Sequence, residues 1–140
     1  MAQTLIKRLD TDDPAAGRFI HEAFTEYGIK NGVTLNYDEF CFVAEDPGGQ
    51  IIGAVTGWAY YDEVHIGDLI VAESYRNTGM GSRLVRAAED AYRGKGYSVV
   101  TLSTFGFQAP GFYKKLGYEI EFVRGNSDPK LVKYFLKKQL

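Results

Sequence analysis

The chain has 140 residues, a length that suits one compact domain, and we predict a single domain over residues 1–140. Its formal net charge of -2 argues against a protein that binds nucleic acid by neutralising many phosphates. No apolar run is long enough to span a membrane, and residues 1–10 do not resemble a signal segment. Since the single cysteine, Cys41, cannot form an intramolecular disulfide, we expect a cytoplasmic protein.

Hydrophobic periodicity and turn residues predict alternating strands and helices along the chain. Segment 29–39 is polar and irregular, and it is interpreted as a loop or a short helix. The predicted strands are 3–9, 40–45, 51–61, 63–71, 99–102, 118–123 and 131–136. The predicted helices are 14–27, 79–93 and 109–116, and the apolar stripe of the first one is expected to be buried.

The order of these elements favours the α+β class. Three consecutive strands between residues 40 and 71 are separated by short turns, which is typical of an antiparallel meander. A helix then separates strand 63–71 from strand 99–102, as in a right-handed crossover between parallel strands. We therefore expect one mixed, mostly antiparallel sheet with helices packed against it.

A glycine-containing turn, Arg76-Asn77-Thr78-Gly79-Met80-Gly81, joins strand 63–71 to the second predicted helix. A helix N-terminus leaves about four backbone N–H groups without intrahelical partners and attracts anions such as a diphosphate. Glycines allow a ligand to approach that backbone closely. The alternative is an ordinary tight turn. A P-loop is excluded because no Gly-Lys-Ser/Thr string follows, and Leu84 replaces the third glycine of a dinucleotide-binding fingerprint.

This turn resembles the Gln/Arg-x-x-Gly-x-Gly/Ala signature of the GNAT superfamily of acetyl-coenzyme A-dependent N-acetyltransferases. The segment Phe112-Tyr113-Lys114-Lys115-Leu116-Gly117-Tyr118 is similar to a second motif of the same superfamily. The resemblance implies a single-domain GNAT-like fold in which the fourth and fifth strands splay apart around acetyl-coenzyme A. It implies no metal ion.

The resemblance also implies which residues bind the coenzyme. Backbone groups of the fourth strand are expected to bind the pantetheine arm, and the turn with the start of the helix is expected to bind the pyrophosphate. The strand residues are Leu69, Ile70 and Val71, and the residues of the turn and helix are Arg76, Asn77, Thr78, Gly79, Met80, Gly81, Ser82 and Arg83.

Three side chains are candidates for catalysis. Tyr113 matches the tyrosine that protonates the departing thiolate in many members of the superfamily, and its alternative role is packing. Glu63 and His65 lie on one face of the fourth strand and are candidates for the general base. Histidine titrates near neutrality, although a lone histidine in a strand is often structural. Water, or the acceptor's own protonation equilibrium, is the remaining alternative for the base.

The predicted function is transfer of an acetyl group to a primary amine of a small molecule, by direct attack in a ternary complex. The alternatives are a non-catalytic acyl-coenzyme A-binding module and an acetyltransferase for protein N-termini or lysines. Cys41 is expected in the core rather than as a nucleophile. The aromatic residues Trp58, Tyr60 and Tyr61 are interpreted as buried, with an acceptor pocket as the alternative. A homodimer through the strands at residues 118–136 is a further expectation, since members of the superfamily are often dimers.

Overall fold

The computed structural model describes residues 3–140. Three α-helices are present in this range: α1 (Pro14–Lys30), α2 (Met80–Tyr92) and α3 (Pro110–Lys115). The six strands are β1 (Asp38–Glu45), β2 (Ile51–Tyr60), β3 (Glu63–Val71), β4 (Val99–Phe105), β5 (Glu119–Arg124) and β6 (Lys133–Gln139). Two short 3-10 helices cover Glu73–Tyr75 and Pro129–Leu131.

The predicted strand at residues 3–9 is wrong, because these residues have no regular structure. Loose alternation over seven residues specifies no hydrogen-bonding partner, and a strand requires one. The predicted fourth and fifth strands are therefore β3 and β4. Of segment 29–39, residues 31–37 form a loop, while residues 29–30 belong to α1 and residues 38–39 to β1, so no second helix is present there.

The chain divides into two compact units, one ending at Leu35 and the other covering Asn36–Leu140. In the first unit, Pro14 begins α1 and the side chain of Asp13 accepts a hydrogen bond from the Ala16 N–H at 2.9 Å, which caps the helix. The helix continues through Gly28 to Lys30. Within this unit no side chain of α1 is buried, so the burial predicted for its apolar stripe is not found there.

The second unit is a six-stranded mixed sheet with strand order β1-β2-β3-β4-β6-β5. Every neighbouring pair is antiparallel except β3 and β4, which the α2 crossover makes parallel. The prediction of a mixed, mostly antiparallel sheet is confirmed. One face of the sheet packs against α2, whose buried residues include Leu84, Val85 and Ala88. Burial of these apolar side chains is the main force that holds the helix on the sheet.

Within residues 3–140, no helix combines the length and hydrophobicity that crossing a membrane requires. In the same range, no three side chains of His, Cys, Asp or Glu are grouped closely enough to bind a metal ion.

Candidate active site

The two parallel strands of the sheet separate soon after they begin to pair. The β3–β4 ladder contains only the pairs Glu63–Val99, Val64–Val100 and His65–Thr101. Beyond His65 the strands diverge and enclose a slot of about 550 Å³. The slot is lined by Ile66, Gly67, Asp68, Leu69, Ile70, Leu102, Ser103, Thr104, Phe105, Gln108, Ala109, Phe112, Tyr113 and Lys133. The predicted splaying of two strands is therefore present, between β3 and β4.

A β-bulge lies where the slot begins. The β2–β3 register passes from Gly57–Ile66 to Thr56–Asp68, so Gly67 has no partner residue in β2. A side chain at Gly67 would contact the Trp58 ring, since a Cβ built there lies 3.3 Å from Trp58 Cζ3. The bulge reorients the β3 backbone beside the slot. Leu69 and Ile70, which we expected to bind the pantetheine arm, line the slot after this bulge.

At the end of β3 the chain forms the predicted turn and enters α2. Gly79 is the N-cap residue of the helix and has φ of +84°, in the left-handed region that favours glycine. It has no side chain that could cap the helix, so no capping oxygen occupies the first N–H groups of α2. The first helical turn thus presents donors and a partial positive charge, which is the arrangement that binds a diphosphate.

Side chains of the turn hold its shape. The Arg76 Nε–H donates to the Val71 carbonyl at 3.0 Å, and the Thr78 hydroxyl donates to the Tyr75 carbonyl at 2.5 Å. Asn77 adopts a positive φ of 61°, and Met80 begins the helix. Arg76 therefore has a structural role that the sequence did not indicate, while its remaining guanidinium N–H groups lie on an exposed side chain.

The helix residues after the turn differ in exposure. Arg83 is exposed, and Ser82 is half-buried. Gly81 lies against α3, since a Cβ built at Gly81 would lie 3.2 Å from Phe112 Cζ. This close approach brings the start of α2 and the tyrosine helix together, so the two sequence motifs lie on neighbouring parts of one site.

Tyr113 projects from α3 into the slot, and only 8% of its surface is exposed. Its ring packs edge-on against Phe112 and against Tyr118, with ring centroids 5.0 Å and 5.8 Å apart. The Tyr118 hydroxyl donates to the buried carboxylate of Glu89 at 2.7 Å, and Lys138 Nζ lies 3.1 Å from that carboxylate. Burial raises the pKa of Tyr113 to about 12, so its hydroxyl keeps its proton at neutral pH.

A second, smaller cavity of about 280 Å³ adjoins the slot, and Leu102 lines both. The other residues that line it are Trp58, Tyr60, Glu63, His65, Thr101, Glu121, Phe135 and Leu136. Glu63 and His65 therefore face one cavity, as their two-residue spacing predicts. The sequence favoured burial for Trp58 and Tyr60, but they line this cavity, and Trp58 is 37% exposed. Tyr61 is exposed and does not line it.

Hydrogen bonds connect Glu63, Thr101 and His65 in this cavity. The Thr101 hydroxyl donates to Glu63 Oε2 at 3.0 Å, and His65 Nδ1 lies 2.8 Å from the Thr101 oxygen. The Tyr60 hydroxyl donates to the same Glu63 oxygen at 3.4 Å. Trp58 packs against the His65 ring, with centroids 4.8 Å apart. These contacts hold the imidazole in one orientation beside the slot.

The environment of His65 favours the neutral imidazole. Burial lowers the pKa of His65 below its ordinary value, and the nearby Lys133 ammonium acts in the same direction. Glu63 partly opposes them, because a carboxylate stabilises the imidazolium. At neutral pH the ring is therefore mainly unprotonated and able to accept a proton.

Sequence reasoning misplaced one candidate residue, Cys41, and did not identify one residue of the site, Thr101. Cys41 is exposed rather than in the core, because Phe40 and Phe42 alternate with it and face α2. It lines neither the slot nor the smaller cavity. Thr101 was not considered at all. Its position in strand 99–102 opposite strand 63–71 was a usable signal, but the register that places it beside His65 is visible only in the structure.

The chain resembles known acetyltransferases in sequence and in structure. Residues 37–120 match the family model described as the acetyltransferase (GNAT) domain. A blasticidin-S acetyltransferase from Streptomyces morookaense is 32% identical over 93 residues, which are 66% of this chain and 68% of that protein.

Solved structures of acetyltransferases are also similar to this chain. An acetyltransferase from Bacillus cereus ATCC 14579 has a TM-score of 0.77 and 32% identity, over 96% of this chain and 98% of that one. An aminoglycoside 6'-N-acetyltransferase complexed with coenzyme A has a TM-score of 0.64 over 97% of both chains, and its 16% identity shows the shared fold alone. With the match over residues 37–120, these similarities confirm the fold and the enzyme class that the two motifs imply: the chain belongs to the GNAT family of N-acetyltransferases, whose acetyl donor is acetyl-coenzyme A.

Proposed function

We propose that this enzyme transfers the acetyl group of acetyl-coenzyme A to a primary amine of a small molecule, by direct attack within a ternary complex. The observation that carries the proposal is the meeting of two cavities at Leu102: the slot between β3 and β4, and the smaller cavity that contains His65. A donor in the slot and an amine in the smaller cavity would be adjacent. Adjacent, oriented reactants are what direct transfer requires.

On the donor side, the start of α2 would bind the pyrophosphate through backbone N–H groups, with Arg76 and Arg83 contributing charge. The pantetheine arm would lie along β3, where the backbone beyond His65 has no hydrogen-bonding partner strand on its β4 side. The same unpaired backbone would supply an N–H to the oxyanion that forms as the thioester is attacked. The coenzyme would thus be bound mainly by backbone atoms.

On the acceptor side, we assign the general base to His65 rather than Glu63. Glu63 Oε2 already accepts hydrogen bonds from Thr101 and Tyr60, whereas the lowered pKa of His65 keeps its imidazole ready to accept a proton. As the amine nitrogen bonds to the carbonyl carbon and the C–S bond breaks, His65 takes the proton that the amine loses. Glu63 is then a supporting group and a source of negative charge.

Tyr113 would donate a hydrogen bond to the sulfur as the C–S bond breaks. With a pKa of about 12, it remains protonated and stabilises the thiolate rather than giving up its proton beforehand. Tyr113→Phe keeps the ring and its packing against Tyr118 and removes only the hydroxyl. We expect kcat to fall about tenfold to a hundredfold with little change in thermal unfolding. A steady-state assay in which the variant keeps at least half of the parental kcat would contradict this role.

The smaller cavity suits a small cationic amine. Trp58 and Tyr60 offer aromatic faces, while Glu63 and Glu121 offer carboxylates. Its volume of about 280 Å³ is that of a pocket for one functional group rather than a groove for a peptide. The relative that is 32% identical in sequence is an acetyltransferase of blasticidin S, which is a small molecule.

The test is thiol release from acetyl-coenzyme A with a panel of acceptors. The panel contains blasticidin S, streptothricin, aminoglycosides, polyamines, free amino acids and short peptides with free N-termini. We expect release with a small-molecule amine and intersecting initial-velocity patterns. Release with peptides alone would favour a protein acetyltransferase, and coenzyme binding without release would favour a binding module. Parallel patterns would exclude the ternary complex. A cytoplasmic location and a homodimer through residues 118–136 stay part of this proposal.

A further inference from the structure

We propose that Thr101 is a positioning residue that fixes the tautomer of His65, with the proton on Nδ1 and the lone pair on Nε2. The inference rests on the proposed role of His65 as general base. That role also requires a hydroxyl group on the neighbouring strand β4. The hydroxyl lies at the last residue pair between β3 and β4, immediately before the two strands separate and the slot opens.

The direction of the hydrogen bonds follows from counting hydrogens. A carboxylate oxygen accepts, so the single hydrogen of the Thr101 hydroxyl is donated to Glu63 Oε2 at 3.0 Å. The Thr101 oxygen then has only lone pairs to offer to His65 Nδ1, which lies 2.8 Å away. Nδ1 must therefore carry the imidazole proton and donate it to Thr101. In the neutral ring, the other nitrogen is then the acceptor.

This arrangement reverses the ordinary preference of the side chain. In water, neutral histidine carries its proton mainly on Nε2, which would leave that nitrogen unable to accept from an amine. Glu63, through Thr101, selects the opposite tautomer. The backbone pairing of His65 with Thr101 keeps the two side chains at hydrogen-bonding distance. Trp58, on the neighbouring strand, restricts rotation of the ring.

The charged side chains of Lys133 and Glu121 near the ring do not take the place of Thr101 as the acceptor of the hydrogen bond from His65 Nδ1. Lys133 lines the slot from β6, and an ammonium can only donate, so it cannot accept the Nδ1 proton. Glu121 on β5 lines the smaller cavity together with His65, but it pairs with Lys137, at 3.6 Å. Thr101 is thus the group that accepts from Nδ1.

Nitrogen-15 NMR of the imidazole tests the proposal without any assay of activity. The chain contains only two histidines, and the exposed His21 on α1 provides an internal reference for an unrestrained side chain. Long-range proton–nitrogen spectra distinguish a protonated nitrogen from one with a lone pair. At a pH where both rings are neutral, we expect His65 to carry its proton on Nδ1 and His21 to carry its proton mainly on Nε2.

Substitution of Thr101 links the tautomer to turnover. Thr101→Val removes the hydroxyl at nearly constant volume, and we expect the Nε2–H form of His65 to appear and kcat to fall about tenfold. The KM for acetyl-coenzyme A should not change. Thr101→Ser restores the hydroxyl and should restore both readouts. A matched control is Ser98→Ala, which also removes a hydrogen bond from a hydroxyl to a carboxylate, from Ser98 to Asp62 at 3.0 Å, at residues that line neither cavity.

The outcomes separate this inference from the proposed function. A wild-type His65 protonated on Nε2, or a tautomer that is unchanged in Thr101→Val, overturns the inference. If the tautomer changes in Thr101→Val while kcat does not, Thr101 has the positioning role and His65 is not the base, so the assignment under the proposed function fails. If Thr101→Ser behaves like Thr101→Val in the NMR spectra, a hydroxyl at this position is not sufficient to set the tautomer, and the inference is wrong.

Discussion

The two sides of the proposed active site, a donor side in the slot and an acceptor side in the smaller cavity, are built by different means. The donor side, at the start of α2 and along β3, consists mostly of backbone groups whose geometry is set by Gly67, Gly79 and the splaying of two strands. The acceptor side consists of side chains from five strands, β2 to β6, including Trp58, His65 and Thr101. A backbone site recognises an invariant part of the coenzyme, whereas a side-chain site can change with the acceptor while the sheet stays the same.

This contrast predicts that substitutions on the two sides change different kinetic constants. A change on the acceptor side should lower kcat and leave coenzyme binding intact. A change in the turn before α2 should weaken coenzyme binding and leave kcat at saturation nearly intact. Three substitution experiments test this division, with expected effects that decrease from His65 to Gly79 to the groups that shift the pH profile.

The largest effect is expected for His65→Gln. Glutamine fills a similar space but has no group that accepts a proton at neutral pH, so kcat should fall about a hundredfold. Steady-state kinetics would measure this loss, and calorimetric titration with coenzyme A should give the parental Kd. His21→Gln is the control, since His21 is an exposed residue that is not among those lining either cavity. A Kd that rises in parallel with the loss of kcat would break the division between the two sides.

A smaller effect is expected for Gly79→Ala. Alanine at a φ of +84° costs about 1 kcal/mol, so the turn would relax away from the geometry that presents its N–H groups. The Kd of coenzyme A should rise about tenfold. Gly94→Ala is a matched control at the other end of α2, with a φ of +76° and no neighbouring atom within 4 Å of its Cβ, as at Gly79. Equal weakening of coenzyme binding in both variants would show a general loss of stability instead.

The smallest effect is a shift of the pH profile. Because the base must be unprotonated, the rate should fall as the pH drops through the pKa of His65, which burial places below its ordinary value. Lys133→Met removes a charge that lowers this pKa, so the acidic limb should move to higher pH. Glu63→Gln removes a charge that raises it and keeps an oxygen that can accept from Thr101, so the limb should move to lower pH.

The two variants control for each other, because they should shift the pKa of the same imidazole, that of His65, in opposite directions. A profile of kcat/KM against pH for the parent and both variants would measure them. Movement of both limbs in the same direction would mean that another group titrates, and the assignment of the base would then be wrong.

The local geometry of the proposed donor side was easier to predict from the sequence than that of the proposed acceptor side. Turn 76–81 depends on local geometry, because a positive φ and a helix start are specified by residues adjacent in the chain. The motif containing Tyr113 is equally local. The expectation that the two motifs belong to one site came from a resemblance to a family. The close approach of Gly81 to Phe112 gives that expectation a physical basis.

The acceptor side depends on strand register, which the sequence specifies weakly. Trp58 and Tyr60 were interpreted as buried because aromatic residues favour strands, but a strand has two faces and only one packs against α2. Cys41 was misplaced for the same reason. Thr101 meets His65 across 36 residues, a pairing set by the crossover through α2. The predicted strand at 3–9 failed because pairing, rather than alternation, makes a strand.

The three-residue ladder between β3 and β4 has a consequence for stability. It joins two antiparallel halves, β1–β2–β3 and β4–β6–β5, by the shortest set of strand pairs in the sheet. A ligand that bonds to the free backbone beyond His65 would act as an additional strand between the halves. Coenzyme binding should then raise the free energy of unfolding by RT ln(1 + [L]/Kd), so the supply of acetyl donor would govern how often the sheet opens to proteases.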